Sequence, residues 1–231
     1  MATHCAQWNA RKRSAIPHRH YPADSMLFWQ DEPAAYVYLL RSGCIKQFVL
    51  DGDGNEHISD FHFPGDILAL DSLHSPTYLS GAAALGPVSV CAIRRKRLLT
   101  SADPRDGLLL LPLLSRALAH SHRLAAEATA EQRIAQFLLD VRERLTASVP
   151  KSSQPAPGQD DAVVLPMGRS DLANHLRLVT ETVSRMLSRF QADGLIRVAR
   201  RRIVYRDLAS LKQLASAAAS RAEHRAEMRA A

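Results

Sequence analysis

Within six residues, Thr180, Glu181, Thr182, Ser184 and Arg185 supply three hydroxyls, a carboxylate and a guanidinium. That set suits the edge of a nucleic-acid base. A guanidinium forks onto guanine O6 and N7, a carboxylate accepts from cytosine N4, and a hydroxyl donates or accepts at a neighbouring base. Each good bidentate contact discriminates against the wrong base by about 1–3 kcal/mol. Thr180, Glu181, Ser184 and Arg185 are therefore the candidate base readers. A helix with a purely structural role would show solvated Lys and Glu at these positions. Helical geometry puts 181, 184, 185 and 188 on one face and turns Val183, Met186, Leu187 and Phe190 toward a core.

Those residues sit in a run from Leu165 to Arg206 that reads as strand, helix, tight turn, helix and two basic strands. This is the outline of a winged helix-turn-helix, which lays its second helix in the DNA major groove. Arg169, Thr182, Arg189, Arg200, Arg201 and Arg202 suit phosphates, which orient a protein on DNA without reading sequence. Charge points the same way. Residues 163–231 carry 13 basic and 6 acidic side chains, while residues 1–162 carry 17 of each. All of the formal excess lies where phosphates would be met.

The chain of 231 residues suits two modest domains, and its 46% hydrophobic content is that of a globular protein. No apolar run approaches the roughly 20 residues of a membrane span. The run at Leu108–Leu114 is short and contains Pro112, and the N-terminal stretch has no apolar core after its charges, so it does not read as a secretory signal. Three cysteines far apart, Cys5, Cys44 and Cys91, suggest no disulfide framework. A cytoplasmic location is expected, with no membrane partner.

Residues 1–15 read as a flexible arm. Over 16–106 short apolar runs alternate with turns: Tyr36–Leu40, Ile45–Leu50, the Asp51–Gly54 hairpin turn, Ile58–Phe63 and Val88–Ile93. That texture indicates an antiparallel barrel or jelly roll. Residues 107–148 turn helical. Leu114, Ala117, Ser121, Leu124 and Ala128 recur at alternating steps of three and four, a narrow coiled-coil seam read as a homodimer stripe, with packing against the barrel as the alternative. Thr129–Leu145 presents Ile134, Phe137, Leu138, Val141 and Leu145 on one face. Residues 149–231 hold a flexible connection, the winged helix and a final helix starting at Asp207. The expected class is α+β: jelly-roll sensor, long dimerisation helix and C-terminal winged helix-turn-helix.

Six segments in this order resemble the Crp/Fnr family of bacterial transcription regulators: Leu39–Lys46, Gly54–Ile58, Phe63–Ile67, Val90–Ile93, Ala130–Phe137 and Glu181–Arg185. The resemblance covers about residues 16–215. It implies a cyclic-nucleotide-binding-like roll and a homodimer on palindromic double-stranded DNA, with half-sites about 34 Å apart. The Crp branch usually has Arg where Thr180 sits and Gly where Ser184 sits. Glu181-x-x-Ser184-Arg185 resembles the Fnr/FixK pattern instead, which implies TTGAT-type half-sites. The family is usually activating, and the exposed loop Asp51–Glu56 is placed to touch RNA polymerase. One departure stands out: the helix–helix turn usually carries a Gly, and Arg177 takes its place at a cost of about 1 kcal/mol.

The signal is less legible. Fnr oxygen sensors hold an iron–sulfur cluster on four cysteines, and three cysteines cannot complete one within a subunit. The region Asp66–Leu85 carries Asp66 and Asp71 and no Lys or Arg, so a cyclic phosphate would be desolvated without a cation. Three readings remain in order: no small ligand, as in the FixK-like branch; haem, with His18, His20, His62 and His74 as ligand candidates; or thiol oxidation at Cys5 or Cys44, with Cys91 read as a buried strand residue. An enzyme is not expected. His18 and His20 have metal-ligand spacing but no carboxylate before Glu32, and His120 and His122 fall in the helical stripe. The alternative function is a ligand- or haem-sensing roll whose DNA binding is occluded or effector-dependent. Steep salt dependence separates a DNA binder from it.

Overall fold

Among the described residues, eight short strands make up the N-terminal part: β1 His18–Tyr21, β2 Met26–Phe28, β3 Tyr36–Ser42, β4 Ile45–Leu50, β5 Glu56–His62, β6 Ile67–Leu68, β7 Gly81–Ala84 and β8 Val88–Arg94. The structure, a computed structural model, describes residues 17–100, 129–148 and 161–216. The chain divides into two units, Met1–His120 and Ser121–Ala231.

In the first unit the strands form two antiparallel sheets, ordered β1-β8-β3-β6 and β2-β7-β4-β5, and a short helix α1 follows at Arg95–Leu99. The buried residues of both sheets form one core that includes Phe28, Tyr38, Leu40, Ile45, Tyr78 and Val90. Phe28 stacks on Tyr78 at 4.1 Å and on Tyr38 at 5.6 Å between ring centroids. The Tyr78 hydroxyl donates to the Tyr36 carbonyl at 2.9 Å and accepts from the Tyr36 amide at 3.1 Å. Burial, then the neighbouring Tyr78, pushes the Tyr38 phenol well above its ordinary range, so it stays neutral.

The expected strands at 36–40, 45–50, 58–63 and 88–93 are present with small shifts at their ends. In the Asp51–Asn55 turn, Gly54 has φ 81°. The Asp51 carboxylate accepts from the amides of Asp53 and Asn55 at 3.0 and 2.8 Å and from His57 Nε2 at 2.9 Å. His57 first, then Asn55, hold that carboxyl well below the usual range. Strand β7 has no counterpart in the sequence reading. Its Gly-Ala-Ala-Ala composition is poor in strand formers. The packing requires it, since a Cβ on Gly81 would stand 2.8 Å from the Phe48 ring.

The cysteines bring a correction. Cys44 is buried and is not disulfide-bonded, whereas Cys91, wholly buried on β8, is disulfide-bonded. Distance along the chain is no bar to such a bond. Strand β8 pairs with β1, which sets His18 opposite Cys91 and brings the N-terminal end of the roll alongside it. Cys5 lies outside the described residues.

The second unit begins, among the described residues, with helix α2 at Ala130–Ser148. Thr129 and Gln132 form a reciprocal cap: the Thr129 amide donates to Gln132 Oε1 at 2.9 Å and the Gln132 amide to Thr129 Oγ1 at 3.3 Å. Ile134, Phe137, Leu138 and Val141 are buried as the spacing predicts, and Leu145 is half-buried. Then come β9 Ala162–Val164, α3 Arg169–His175, α4 Thr180–Ala192, β10 Ile196–Ala199 and β11 Arg202–Tyr205. Residues 208–216 form a helix, α5, with Asp207 capping it through Ser210. The three strands form a sheet ordered β10-β11-β9. Although α2 reads from sequence as a connecting helix, it packs on α4 and β9. The Tyr205 hydroxyl donates to the Leu138 carbonyl at 2.6 Å. The candidate dimer residues Leu114, Ala117, Ser121, Leu124 and Ala128 lie outside the described residues, as do the arm 1–15 and most of the connection after 149.

Candidate nucleic-acid interface

Helix α3 ends in a Schellman turn. The Arg177 amide donates to Asn174 O at 3.0 Å and the Leu178 amide to Ala173 O at 2.9 Å, the pair of bonds that needs a left-handed residue at the first position past the cap. Arg177 holds that position with φ 53°. The expectation of a Gly-type conformation carried by Arg is met. Its backbone strain predicts that Arg177→Gly raises the stability of this unit by about 1 kcal/mol. A denaturant midpoint that stays put or falls would refute it. The same turn is held from α2: Arg133 Nη1 donates to the Leu176 carbonyl at 2.7 Å.

Helix α4 separates its faces cleanly. Val183, Leu187 and Phe190 are buried, while Thr180, Glu181, Arg185 and Ser188 are exposed. Ser184, Thr182 and Met186 are half-buried. Glu181 stands in the first turn and Arg189 in the last, each complementing the helix dipole. Arg185 makes no hydrogen bond or ion pair among the described residues, so its fork is free for an outside acceptor. Arg169 Nη1 donates to Ser184 Oγ at 3.3 Å. A candidate phosphate residue on α3 and a candidate base reader on α4 are thus brought together.

Beyond α4, strands β10 and β11 form a hairpin with Ala199 opposite Arg202. Its two-residue connection puts Arg200 at φ 56°. Arg200, Arg201 and Arg202 are all exposed, and Arg201 Nη1 donates to Pro166 O at 3.1 Å. The Val198 amide donates to Gln191 Oε1 at 2.9 Å, tying this wing to α4. Arg189 behaves differently from the other candidates. It stands 3.7 Å from both Glu131 and Asp193, which already neutralise it. Sequence reasoning gave no DNA role to Arg177, to Arg197 or to Val179. All three are exposed beside the candidate residues. For Arg197 the signal was strand alternation, since Ile196 next to it is buried.

Known proteins share both halves. Residues 132–214 match the Crp-like helix-turn-helix domain and residues 18–102 the cyclic nucleotide-binding domain. The transcriptional regulatory protein btr of Bordetella pertussis is 36% identical over 193 residues, 81% of this chain and 76% of that protein. The chain belongs to the Crp/Fnr family. The transcriptional activator protein anr of Pseudomonas aeruginosa is 35% identical over 74% of this chain and 68% of its own length. The structure of FixK2 from Bradyrhizobium japonicum superposes with a TM-score of 0.73 at 31% identity, covering 86% of this chain and 96% of FixK2. As a Crp/Fnr protein the chain is a DNA-binding transcription regulator and not an enzyme. No helix among the described residues is long and apolar enough to cross a membrane.

Asp66 is buried and its carboxylate accepts from the Phe63 amide at 2.8 Å. Asp71 accepts from the Ser72 amide at 3.0 Å. The side chain of Arg95, reaching back from α1, donates to the Ser72 backbone carbonyl. Phe28, Tyr38 and Tyr78 stack within the core, and β7 offers only Gly and Ala. These residues do not fit a cyclic phosphate: the Arg95 guanidinium beside them is already engaged by a backbone carbonyl, and Asp66 and Asp71 would repel the anion. Nor do three cysteines fit a four-cysteine cluster. Among the haem candidates, His62 is buried with Nε2 2.7 Å from Gln47 Oε1, and His18 Nδ1 lies 2.6 Å from Arg41 Nη1. His20 and His74 are exposed.

Proposed function

We propose that this Crp/Fnr regulator is a homodimeric activator that reads a palindrome of TTGAT-type half-sites through α4. The carrying observation is the exposed, unpaired Arg185 beside Glu181, with Ser184 held by Arg169. Arg185 takes guanine O6 and N7, Glu181 accepts from cytosine N4, and Ser184 and Thr180 serve neighbouring bases. Arg169, Thr182 and Arg200–Arg202 meet phosphates and set the register. Dimerisation through the Leu114, Ala117, Ser121, Leu124 and Ala128 stripe carries two copies of α4 to successive major-groove faces about 34 Å apart. The Asp51–Glu56 loop, stiffened by the Asp51 carboxylate, is the surface offered to RNA polymerase. The work is done in the cytoplasm, where the DNA is. The activator reading is supported by the name of the Pseudomonas aeruginosa relative.

A titration of purified protein against palindromic, scrambled and respaced duplexes tests this reading. Tight, salt-steep binding of a dimer to the palindrome is expected, lost when half a turn is inserted between half-sites. A monomer with equal affinity for all three duplexes would overturn it.

The signal reading follows from the ligand chemistry. No haem or metal is assigned, and freshly purified protein is expected to show a featureless visible spectrum; a Soret band refutes this. The disulfide at Cys91 favours a second reading, oxidation as the input. Disulfides in reducing compartments are commonly redox-sensing. Two thiols would lose two electrons and two protons to a peroxide, which leaves as water or an alcohol and water. Cys44 stands outside the disulfide, so Cys5→Ser and Cys91→Ser are the variants to test. Loss of peroxide sensitivity in DNA affinity is expected from both. Sensitivity that survives in either variant rejects this input.

A further inference from the structure

Local physics disfavours the residue that starts α4 on two counts. Val179 is the N-cap, and among the described residues no side-chain hydrogen bond caps the first turn. Ser, Thr, Asp or Asn would bind one of those groups, and Val has nothing to offer them. Val179 is also 66% exposed, although a hydroxyl stands beside it at Thr180. Folding explains neither fact, because the burial of α4 rests on Val183, Leu187 and Phe190. Departures from local preference of this kind gather at functional positions.

The surroundings indicate which function. Residues at the N-terminus of a recognition helix approach base edges first, and Val179 directly precedes the exposed Thr180 and Glu181. Most groups on the major-groove edges of the bases are polar; the 5-methyl of thymine is the apolar one. We propose that Val179 is a specificity determinant that packs its methyl groups on the 5-methyl of one thymine in each half-site. This rests on the DNA-reading role proposed for α4. The uncapped helix end is then a consequence of that contact, since a hydroxyl that satisfied the N–H groups would bring a polar surface to the methyl.

The test uses the full chain and a duplex recovered by selection with the protein itself. Each thymine is replaced in turn, in both half-sites, by deoxyuridine, which removes only the methyl. At one position wild type should lose about fourfold in affinity per half-site, the effect of withdrawing one methyl-sized apolar contact. Val179→Ser removes both methyl groups and adds the missing cap. It should melt a few degrees higher, bind scrambled DNA as before and no longer distinguish thymine from deoxyuridine at that position. Val179→Ala should lose the same distinction without the gain in melting temperature. Wild type that tolerates deoxyuridine at every position overturns the proposal, as does a Val179→Ala protein that keeps the discrimination. If selection recovers no preferred sequence, the DNA-reading role itself falls, an outcome distinct from either of these.

Discussion

Arg185→Ala leaves a protein that still binds DNA but no longer prefers its own site. The guanidinium is exposed and unpaired among the described residues, so its removal disturbs no internal bond and the fold should survive. Each bidentate contact to guanine is worth about 1–3 kcal/mol, and a twofold assembly makes it twice, so specific affinity should drop on the order of 100-fold or more. Affinity for scrambled DNA should change far less, because phosphate contacts from Arg169 and the wing arginines remain. Arg185→Lys keeps the charge and loses the fork, and should restore little of the preference. A gel-shift titration at fixed salt decides the matter. If Arg185→Ala binds the palindrome as wild type does, the role assigned to Arg185 is wrong.

The second large effect is on stability. Arg133→Ala should lower the unfolding free energy of the C-terminal unit by about 1.5–3 kcal/mol, the range for a hydrogen bond with a charged partner. The reason lies at the end of α3. Helix C-termini leave carbonyls without amide donors, and Arg133 Nη1 supplies one to Leu176 O at 2.7 Å from a different helix. Its positive charge also faces the negative end of the α3 dipole. Part of the gain is offset, because Arg133 Nε is buried without a partner among the described residues. Arg133→Met keeps the apolar stem and separates lost packing from the lost bond. Chemical denaturation followed by circular dichroism reads the loss. A midpoint unchanged in both variants would show that the turn does not depend on this bond.

Much of the fold was legible because it follows from short-range rules. Short apolar runs bounded by turn residues mark β3, β4, β5 and β8. A period of 3.6 marked α4 and sorted Val183, Leu187 and Phe190 from Glu181 and Arg185 before any coordinates. The left-handed conformation of Arg177 was legible too, since the hydrogen-bonding demands of a helix end depend on neighbours within five residues. Strands β1, β2, β6 and β7 escaped because each is only two to four residues long. A Gly-Ala-Ala-Ala strand becomes a strand only when Phe48 and the sheet around it need small neighbours.

The amino-acid order by itself determined the kind of protein and the helix with the exposed polar face, because amphipathic periodicity and side-chain chemistry are properties of neighbours along the chain. Tertiary structure decided which candidate arginines remain available. Arg185 stays free, Arg169 engages Ser184 15 residues away, and Arg189 is met by Glu131 from α2. It also decided that Cys91 is bonded while Cys44 is not. Such pairings depend on distances in space between residues far apart in sequence, and those distances exist only once the sheets and helices have packed.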